Sequence, residues 1–194
     1  GLSVRWSPTP NWTLNGAVNP DFSQVEADAA QLAVNQRFAL FFREQRPFFL
    51  EGSDLFTTPI RAVFTRTVRD PDWGLKLTGK QGVNALGVFA ARDAANGFIV
   101  PGNQFSRPAF LDEETESGVL RYRRDVGANS SLGLLWSGRE GEVYSNHVLG
   151  VDAYLLLDAK HQINAQVLRS RTRYPRELAL ELGQPVESFE DEAI

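Results

Sequence analysis

Strict alternation of apolar and polar residues is the feature that most limits how this chain can fold. Leu2, Val4 and Trp6 alternate with polar neighbours, and the same pattern continues over residues 11–19 after a proline-rich turn at residues 8–11. A period of two places successive side chains on opposite faces of a β-strand, whereas an amphipathic helix needs a period of about 3.6 residues. The chain therefore begins with a predicted β-hairpin that has one apolar and one polar face.

The alternation returns along most of the chain and marks roughly eight to ten strands. No helical crossover of the kind that joins parallel strands separates them. The pattern predicts an all-β fold, an antiparallel up-and-down meander that forms a single domain over residues 1–194. Several strands reach the length of about nine to eleven residues that a membrane-crossing β-strand needs. These long strands are expected at residues 11–19, 83–92, 144–157 and 162–173.

Three segments interrupt the alternation. Residues 20–58 predict an irregular or partly helical insertion, because Ser23-Gln24-Val25-Glu26 fits a helix-capping box. The alternative for part of this insertion is another strand through residues 29–34. Residues 93–117, rich in Gly, Pro and acidic side chains, predict a long loop, and residues 175–194 predict a loop or an acidic tail.

Composition limits the classes of protein that the chain can represent. A hydrophobic content of 42% excludes intrinsic disorder, and the absence of cysteine excludes a disulfide framework. A net charge of −4 argues against general nucleic-acid binding. The chain has no initiating methionine and no signal-peptide pattern, so we expect it to be an internal piece of a longer protein.

The position of the tryptophans favours a membrane barrel over a soluble sheet. Trp6, Trp12, Trp73 and Trp136 lie at or near predicted strand ends, as in the interfacial aromatic girdles of outer-membrane barrels. The alternative is that they are ordinary hairpin aromatics of a soluble protein. On the barrel interpretation, one face of the sheet meets lipid, and the candidates for that face are Leu14, Leu75, Leu149, Val151, Leu155 and Val167.

Two long stretches, residues 19–28 and 41–52, resemble the signature segments of a bacterial β-barrel domain family of unknown function. Residues 75–80 and 121–130 also resemble segments of that family, so the resemblance spans most of residues 1–175. The family commonly follows a module similar to family 9 carbohydrate-binding domains in outer-membrane proteins. The resemblance implies a partial barrel domain in the bacterial outer membrane, with the 20–58 insertion in the lumen. It also implies lipid bilayer or lipopolysaccharide as a partner, and a link to carbohydrate.

Carboxylates are concentrated in the 20–58 insertion. A glycosidase needs two carboxyl groups about 5–9.5 Å apart across a cleft, and the insertion supplies enough of them for such a pair. The simpler interpretation is a set of structural ion pairs beneath an inward-folded segment. The candidates are Glu44 and Glu51 for catalysis, and Asp21, Glu26, Asp28 and Arg46 for binding or ion pairing.

Other chemistries have less support in the sequence. There is no Gly-x-Ser-x-Gly motif, and His147 and His161 are fourteen residues apart in a chain without cysteine, so neither a Ser-His-Asp triad nor a metal site is predicted. We expect no cofactor. The main hypothesis is a segment of an outer-membrane barrel that serves passage, anchoring or surface presentation. A membrane-associated glycan hydrolase and a soluble carbohydrate-binding β-domain are the alternatives.

Overall fold

An antiparallel sheet of nine strands dominates the structure, a computed structural model that describes residues 1–20, 46–63, 68, 71–94, 96–100, 107–111, 113–182 and 185–193. The all-β prediction is confirmed. The strands are β1 Leu2–Thr9, β2 Trp12–Val18, β3 Pro71–Gln81, β4 Asn84–Asp93, β5 Asn96–Val100, β6 Arg107–Leu111, β7 Thr115–Val126, β8 Ser130–Glu140, β9 Ser145–Leu156, β10 Gln162–Arg173 and β11 Glu187–Ala193. The helices are α1 Pro47–Leu50, a 3-10 helix at Ser53–Phe56, and α2 Arg176–Leu182.

The strand order of the large sheet is β1-β2-β3-β4-β7-β8-β9-β10-β11, and β5 and β6 form a separate hairpin. Short turns join the strand pairs at one edge of the sheet, which we call the tight-turn edge. Gly82 and Gly127 serve two of these turns with positive φ angles of 59° and 63°, a conformation that costs glycine little. The opposite, long-connection edge carries the connections at residues 19–70, 94–114, 141–144 and 174–186.

The two faces of the sheet differ in an unusual way. The face that carries Lys76, the inner face, buries polar side chains such as Asn15, Arg121 and Gln166. The opposite, outer face exposes large apolar side chains. All six predicted lipid-facing residues lie on this face, and Leu75, Leu149, Val151 and Val167 are among its exposed members. The others include Leu2, Val4, Trp6, Val18, Trp73, Leu120, Leu132, Leu134, Trp136 and Ile163.

The segment at residues 46–63, which contains α1 and the 3-10 helix, packs on the inner face. Phe49 joins a buried cluster that includes Phe89 and Leu168 of the sheet. Gly87 permits close contact with this segment, since a Cβ atom there would lie 2.8 Å from the ring of Phe56. The larger of the two buried apolar clusters in the described residues therefore lies between the inner face and this segment.

The loop predicted at residues 93–117 is corrected by the structure, which forms strands β5 and β6 there and begins β7 at Thr115. The Phe98-Ile99-Val100 run has high β-propensity, and its backbone pairs with β6. The loop or tail predicted at residues 175–194 instead contains α2 and β11. Acidic β11 pairs with arginine-rich β10, an arrangement that opposite charges on neighbouring strands favour. The possible helix from Gln24 and the strand through residues 29–34 lie outside the described residues.

None of the helices in the described part of the chain combines the length and the apolar character needed to cross a membrane.

Candidate functional site

Four of the predicted site residues, Glu44, Asp21, Glu26 and Asp28, lie outside the described residues. Glu51 and Arg46 are described, and both belong to the segment at residues 46–63 that packs on the inner face. The candidate site is therefore built around this segment and the inner-face side chains that hold it.

Glu51 forms an ion pair with the sheet. Its Oε1 atom lies 2.7 Å from Nη2 of Arg5 on the edge strand β1. Glu51 also ends helix α1, where its backbone N–H donates to the carbonyl of Pro47. An ion-paired carboxylate at a helix end fits a structural role.

Arg46 is almost fully buried, with 4% of its surface exposed. Its Nη1 atom donates a hydrogen bond to the carbonyl of Val68 at 2.7 Å, and its guanidinium carbon lies 4.0 Å from the centre of the Phe49 ring. A planar guanidinium suits both contacts, because it donates in its plane and stacks on aromatic faces. Arg46 therefore joins two parts of the connection between β2 and β3.

Two inner-face side chains anchor the segment at residues 46–63 to the sheet, and the sequence interpretation missed both. Lys76 of β3 donates hydrogen bonds from Nζ to the backbone carbonyls of Phe48 and Glu51, the latter at 2.6 Å. Gln166 of β10 accepts a hydrogen bond from the backbone N–H of Ile60 at 2.6 Å, and its Nε2 donates to the carbonyl of the same residue. The inward position of Lys76 in the Leu-Lys-Leu alternation was the available signal, but its partners lie far away in the sequence.

Arg121 and Asp152 form a buried ion pair on the inner face, across β8. Their side chains are 3% and 12% exposed, respectively. Both terminal nitrogens of Arg121 donate to the carboxylate, with a distance of 2.8 Å between Nη2 and Oδ1. Gly133 of β8 lies between the paired residues, and a Cβ atom there would be 2.5 Å from Nη1 of Arg121. The lack of a side chain at Gly133 therefore leaves space for this bidentate contact.

A second buried polar cluster holds the connections at the long-connection edge. Arg139 of β8 donates from Nη1 to the carbonyl of Gly97 at 2.9 Å and lies 3.7 Å from the fully buried carboxylate of Asp93. Glu113 accepts hydrogen bonds from the Asn96 side chain at 2.7 Å and from the backbone of the 141–144 connection at 3.0 Å. These contacts tie the β5–β6 hairpin to the large sheet.

A depression of about 270 Å³ opens on the outer face near the long-connection edge. It is lined by Ser145, His147, Arg171, Arg173 and Glu187. Glu187 lies 3.2 Å from Arg171, so these two opposite charges balance each other within the depression, and His147 lies beside Glu140.

Neither a catalytic pair nor a metal centre emerges from these contacts. Within the part of the chain that the structure describes, no group of three or more His, Asp or Glu residues could hold a metal ion. Around residues 46–63, Arg46 and Lys76 instead donate to backbone carbonyls, and Glu51 pairs with Arg5. Such contacts hold a segment against a sheet.

Comparison with known proteins gives one family match. Residues 1–68 match the model of a family described as a domain of unknown function, DUF5916. The comparisons with curated proteins and with solved structures find no match. The N-terminal third of the chain is therefore similar to an uncharacterised domain family.

Proposed function

We propose that this chain forms part of the wall of a bacterial outer-membrane β-barrel with a filled interior, which serves anchoring or surface presentation. The observation that carries the proposal is the inverted distribution of side chains between the two faces of the sheet. Lys76, Arg121 and Gln166 are 2%, 3% and 2% exposed on the inner face, whereas Val151 and Val167 are 52% and 50% exposed on the outer face. A soluble protein rarely exposes so large a contiguous apolar surface, and a lipid-facing barrel wall requires one.

Strand length supports a wall that crosses a bilayer. Strands β7, β9 and β10 each have 12 residues, and β3 and β8 each have 11. Transmembrane strands need about nine to eleven residues, whereas strands of soluble proteins usually have about five or six. Each of these strands is therefore long enough to span the hydrocarbon core with the usual tilt.

Charged residues follow the apolar ones on the outer face toward the long-connection edge. On β10, Ile163, Ala165 and Val167 are succeeded on the same face by Arg169 and Arg171. A change from apolar to charged side chains along a strand fits the boundary between hydrocarbon and headgroups. Lipid, including lipopolysaccharide, is the partner that this surface would contact.

The asymmetry between the two edges of the sheet gives the orientation of the proposed barrel. Outer-membrane barrels have short turns on the periplasmic side and longer loops outside the cell. By this rule the tight-turn edge faces the periplasm. The long-connection edge, with the β5–β6 hairpin and α2, faces the cell surface, where surface presentation would take place.

The filled inner face favours anchoring or presentation over passage of a solute. Phe49 and its neighbours form an apolar core on this face, and Lys76 and Gln166 hold the segment that covers it. An open channel would instead have a water-filled polar lumen. The proposed link to carbohydrate rests on the resemblance of the signature stretches alone.

Single-cysteine labelling tests the proposal cleanly, because the chain has no cysteine of its own. We would replace Val167 on the outer face of β10, or Asn164 on the inner face of the same strand, with cysteine. Each variant would be labelled with an environment-sensitive fluorophore and reconstituted into phosphatidylcholine vesicles. We expect brominated lipid to quench the label at position 167 strongly, and the label at position 164 several-fold less.

Asn164 is the matched control, since it lies on the same strand and its side chain is also exposed. Aqueous iodide should show the opposite order of quenching at the two positions. Equal lipid quenching at both positions, or a chain that does not associate with vesicles, would refute the membrane-wall proposal.

A further inference from the structure

The depression on the outer face is framed by residues of three neighbouring strands. Arg171 and Arg173 of β10 lie opposite His147 and Ser145 of β9 in the register, and Glu187 of β11 closes one side. Its volume of about 270 Å³ lies below the range of about 300–1,000 Å³ that is typical of pockets for drug-sized ligands. The depression therefore suits one small chemical group at the end of a larger molecule.

Arginine provides the positive charge of the depression. Arg171 and Arg173 are both exposed on the same face, with Cα atoms about 7 Å apart, because a strand rises about 3.3–3.4 Å per residue. Arg171 meets Glu187 through one nitrogen at 3.2 Å, with both side chains 61% exposed, and exposed pairs of this kind contribute little to stability. A guanidinium has five N–H donors, so Arg171 retains donors for a second anion. Arg169 lies opposite Asp191 in the register and is left out of the site.

His147 forms the wall of the depression on the β9 side and leans away from the arginines. Its ring stacks on Trp136, with 6.2 Å between the ring centres, and its Nε2 atom contacts the carboxylate of Glu140. A Cβ atom at Gly138 of β8 would lie 3.1 Å from Nδ1 of His147, so the imidazole extends over β8. This position keeps Glu140 beside the histidine and leaves the space next to Arg171 open.

Trp136 indicates the depth of the depression in the proposed membrane. This half-buried tryptophan lies level with Leu149 and Arg169 in the register, directly beyond the apolar part of the outer face. Tryptophan is enriched where a membrane meets water, with its ring at the level of the headgroups. Arg171 and Arg173 lie about 7 and 13 Å further along β10 toward the long-connection edge. Their long side chains can therefore reach headgroup phosphates while the strand below them contacts hydrocarbon.

We propose that this depression binds a phosphate group of lipopolysaccharide, held by Arg171 and Arg173, with the Ser145 hydroxyl as a further donor. The inference rests on the proposed barrel wall and its orientation, which place the depression in the outer leaflet, where lipopolysaccharide is the main lipid. A phosphate monoester carries about 1.5 to 2 negative charges at pH 7, more than the single charge of the Glu187 carboxylate. Its oxygens also match the planar fork of a guanidinium, so the phosphate displaces Glu187 from Arg171.

Binding of fluorescent lipid A, the phosphorylated lipid anchor of lipopolysaccharide, tests the inference. The full chain in neutral detergent micelles would be titrated against lipid A with both phosphates, or against the same molecule without them, and followed by fluorescence anisotropy. We expect the phosphorylated form to bind about ten-fold more tightly or better. Arg171→Gln/Arg173→Gln should weaken its binding about 25-fold, because one arginine near an anionic membrane surface contributes about five-fold in affinity.

The control variant Arg124→Gln/Arg176→Gln removes the same amount of charge outside the depression. Arg124 is exposed at the tight-turn end of β7, and Arg176 is exposed on α2. This variant should change the affinity for lipid A less than about two-fold. Glu187→Gln should change it in the opposite direction, with a gain of about three-fold or more, because the carboxylate that competes for Arg171 is gone.

Three results would overturn the inference: an unchanged affinity of Arg171→Gln/Arg173→Gln, an equal loss in the control variant, or displacement of lipid A by inorganic phosphate alone. Should the double arginine variant fail to fold, Glu187→Gln decides, and no gain in its affinity overturns the site.

The anisotropy readout is independent of lipid quenching. If the label at position 167 is quenched by lipid but binding of lipid A does not depend on the two arginines, the phosphate site fails and the membrane wall stands. If arginine-dependent binding is found while lipid quenching fails, the phosphate site stands and the membrane wall fails.

Discussion

The buried pair of Arg121 and Asp152 gives the sharpest test of a filled interior. Replacing Arg121 with methionine leaves the Asp152 carboxylate, 12% exposed, without its guanidinium partner. Removal of one partner of a buried ion pair typically costs about 3–5 kcal/mol. In a water-filled lumen the pair would behave like an exposed one, and its loss would cost about 0–1 kcal/mol. A dry, filled interior and a water-filled lumen therefore predict clearly different losses in the free energy of unfolding.

The matched control removes both charges. In the double variant Arg121→Met/Asp152→Leu, no charge remains to be buried without a partner. Replacement of a buried pair with apolar residues of similar size is often neutral or stabilising. We therefore expect the double variant to recover most of the stability that Arg121→Met alone loses.

The assay is equilibrium urea unfolding of the full chain in detergent micelles, followed by tryptophan fluorescence. A loss of about 3 kcal/mol corresponds to more than a hundred-fold change in the folding equilibrium, since about 1.4 kcal/mol is ten-fold. A loss below about 1 kcal/mol for Arg121→Met would refute a dry inner face. A double variant as unstable as the single one would show that the charges themselves are not the cause.

Three further predictions concern packing and pH. Gly87→Ala should lower the free energy of unfolding, measured by urea titration, by about 1–3 kcal/mol, because the new Cβ atom would overlap the ring of Phe56. Gly16→Ala is the control and should change this free energy little, because its nearest neighbour lies 3.9 Å from the new Cβ atom. Burial raises the pKa of Tyr144 to about 12, so the folded protein keeps this proton after the unfolded chain has lost it. Stability should therefore fall as the pH rises from about 10 toward 12, and urea midpoints of Tyr144→Phe should lack that part of the decline. Hydrogen bonds from the backbone of Lys160 and from the His161 side chain lower the pKa of Asp158, so stability should decrease as the pH falls below about 4, and Asp158→Asn should reduce this acid dependence in the same assay.

The sequence predicted the type of fold better than the candidate site. The alternation led directly to the meander and to the exposed positions of Leu149 and Val167, because β-strand geometry fixes which neighbours share a face. The site depends instead on contacts between distant residues, such as the hydrogen bond between Ile60 and Gln166, which are 106 positions apart. Local patterns carry no information about such a pair. For the same reason the sequence predicted a loop or an acidic tail where β11 lies, because β11 forms by pairing with β10.

By itself, the sequence determined that long two-faced strands form and which side chains share each face. The physical reason is local, since the period of two follows from the pleated backbone. Only the tertiary structure decided that Lys76 holds the segment at residues 46–63 against the sheet, that Glu51 pairs with Arg5, and that Arg121 meets Asp152 across β8. These contacts arise when strands far apart in the chain pair in one register, because that pairing fixes which side chains meet.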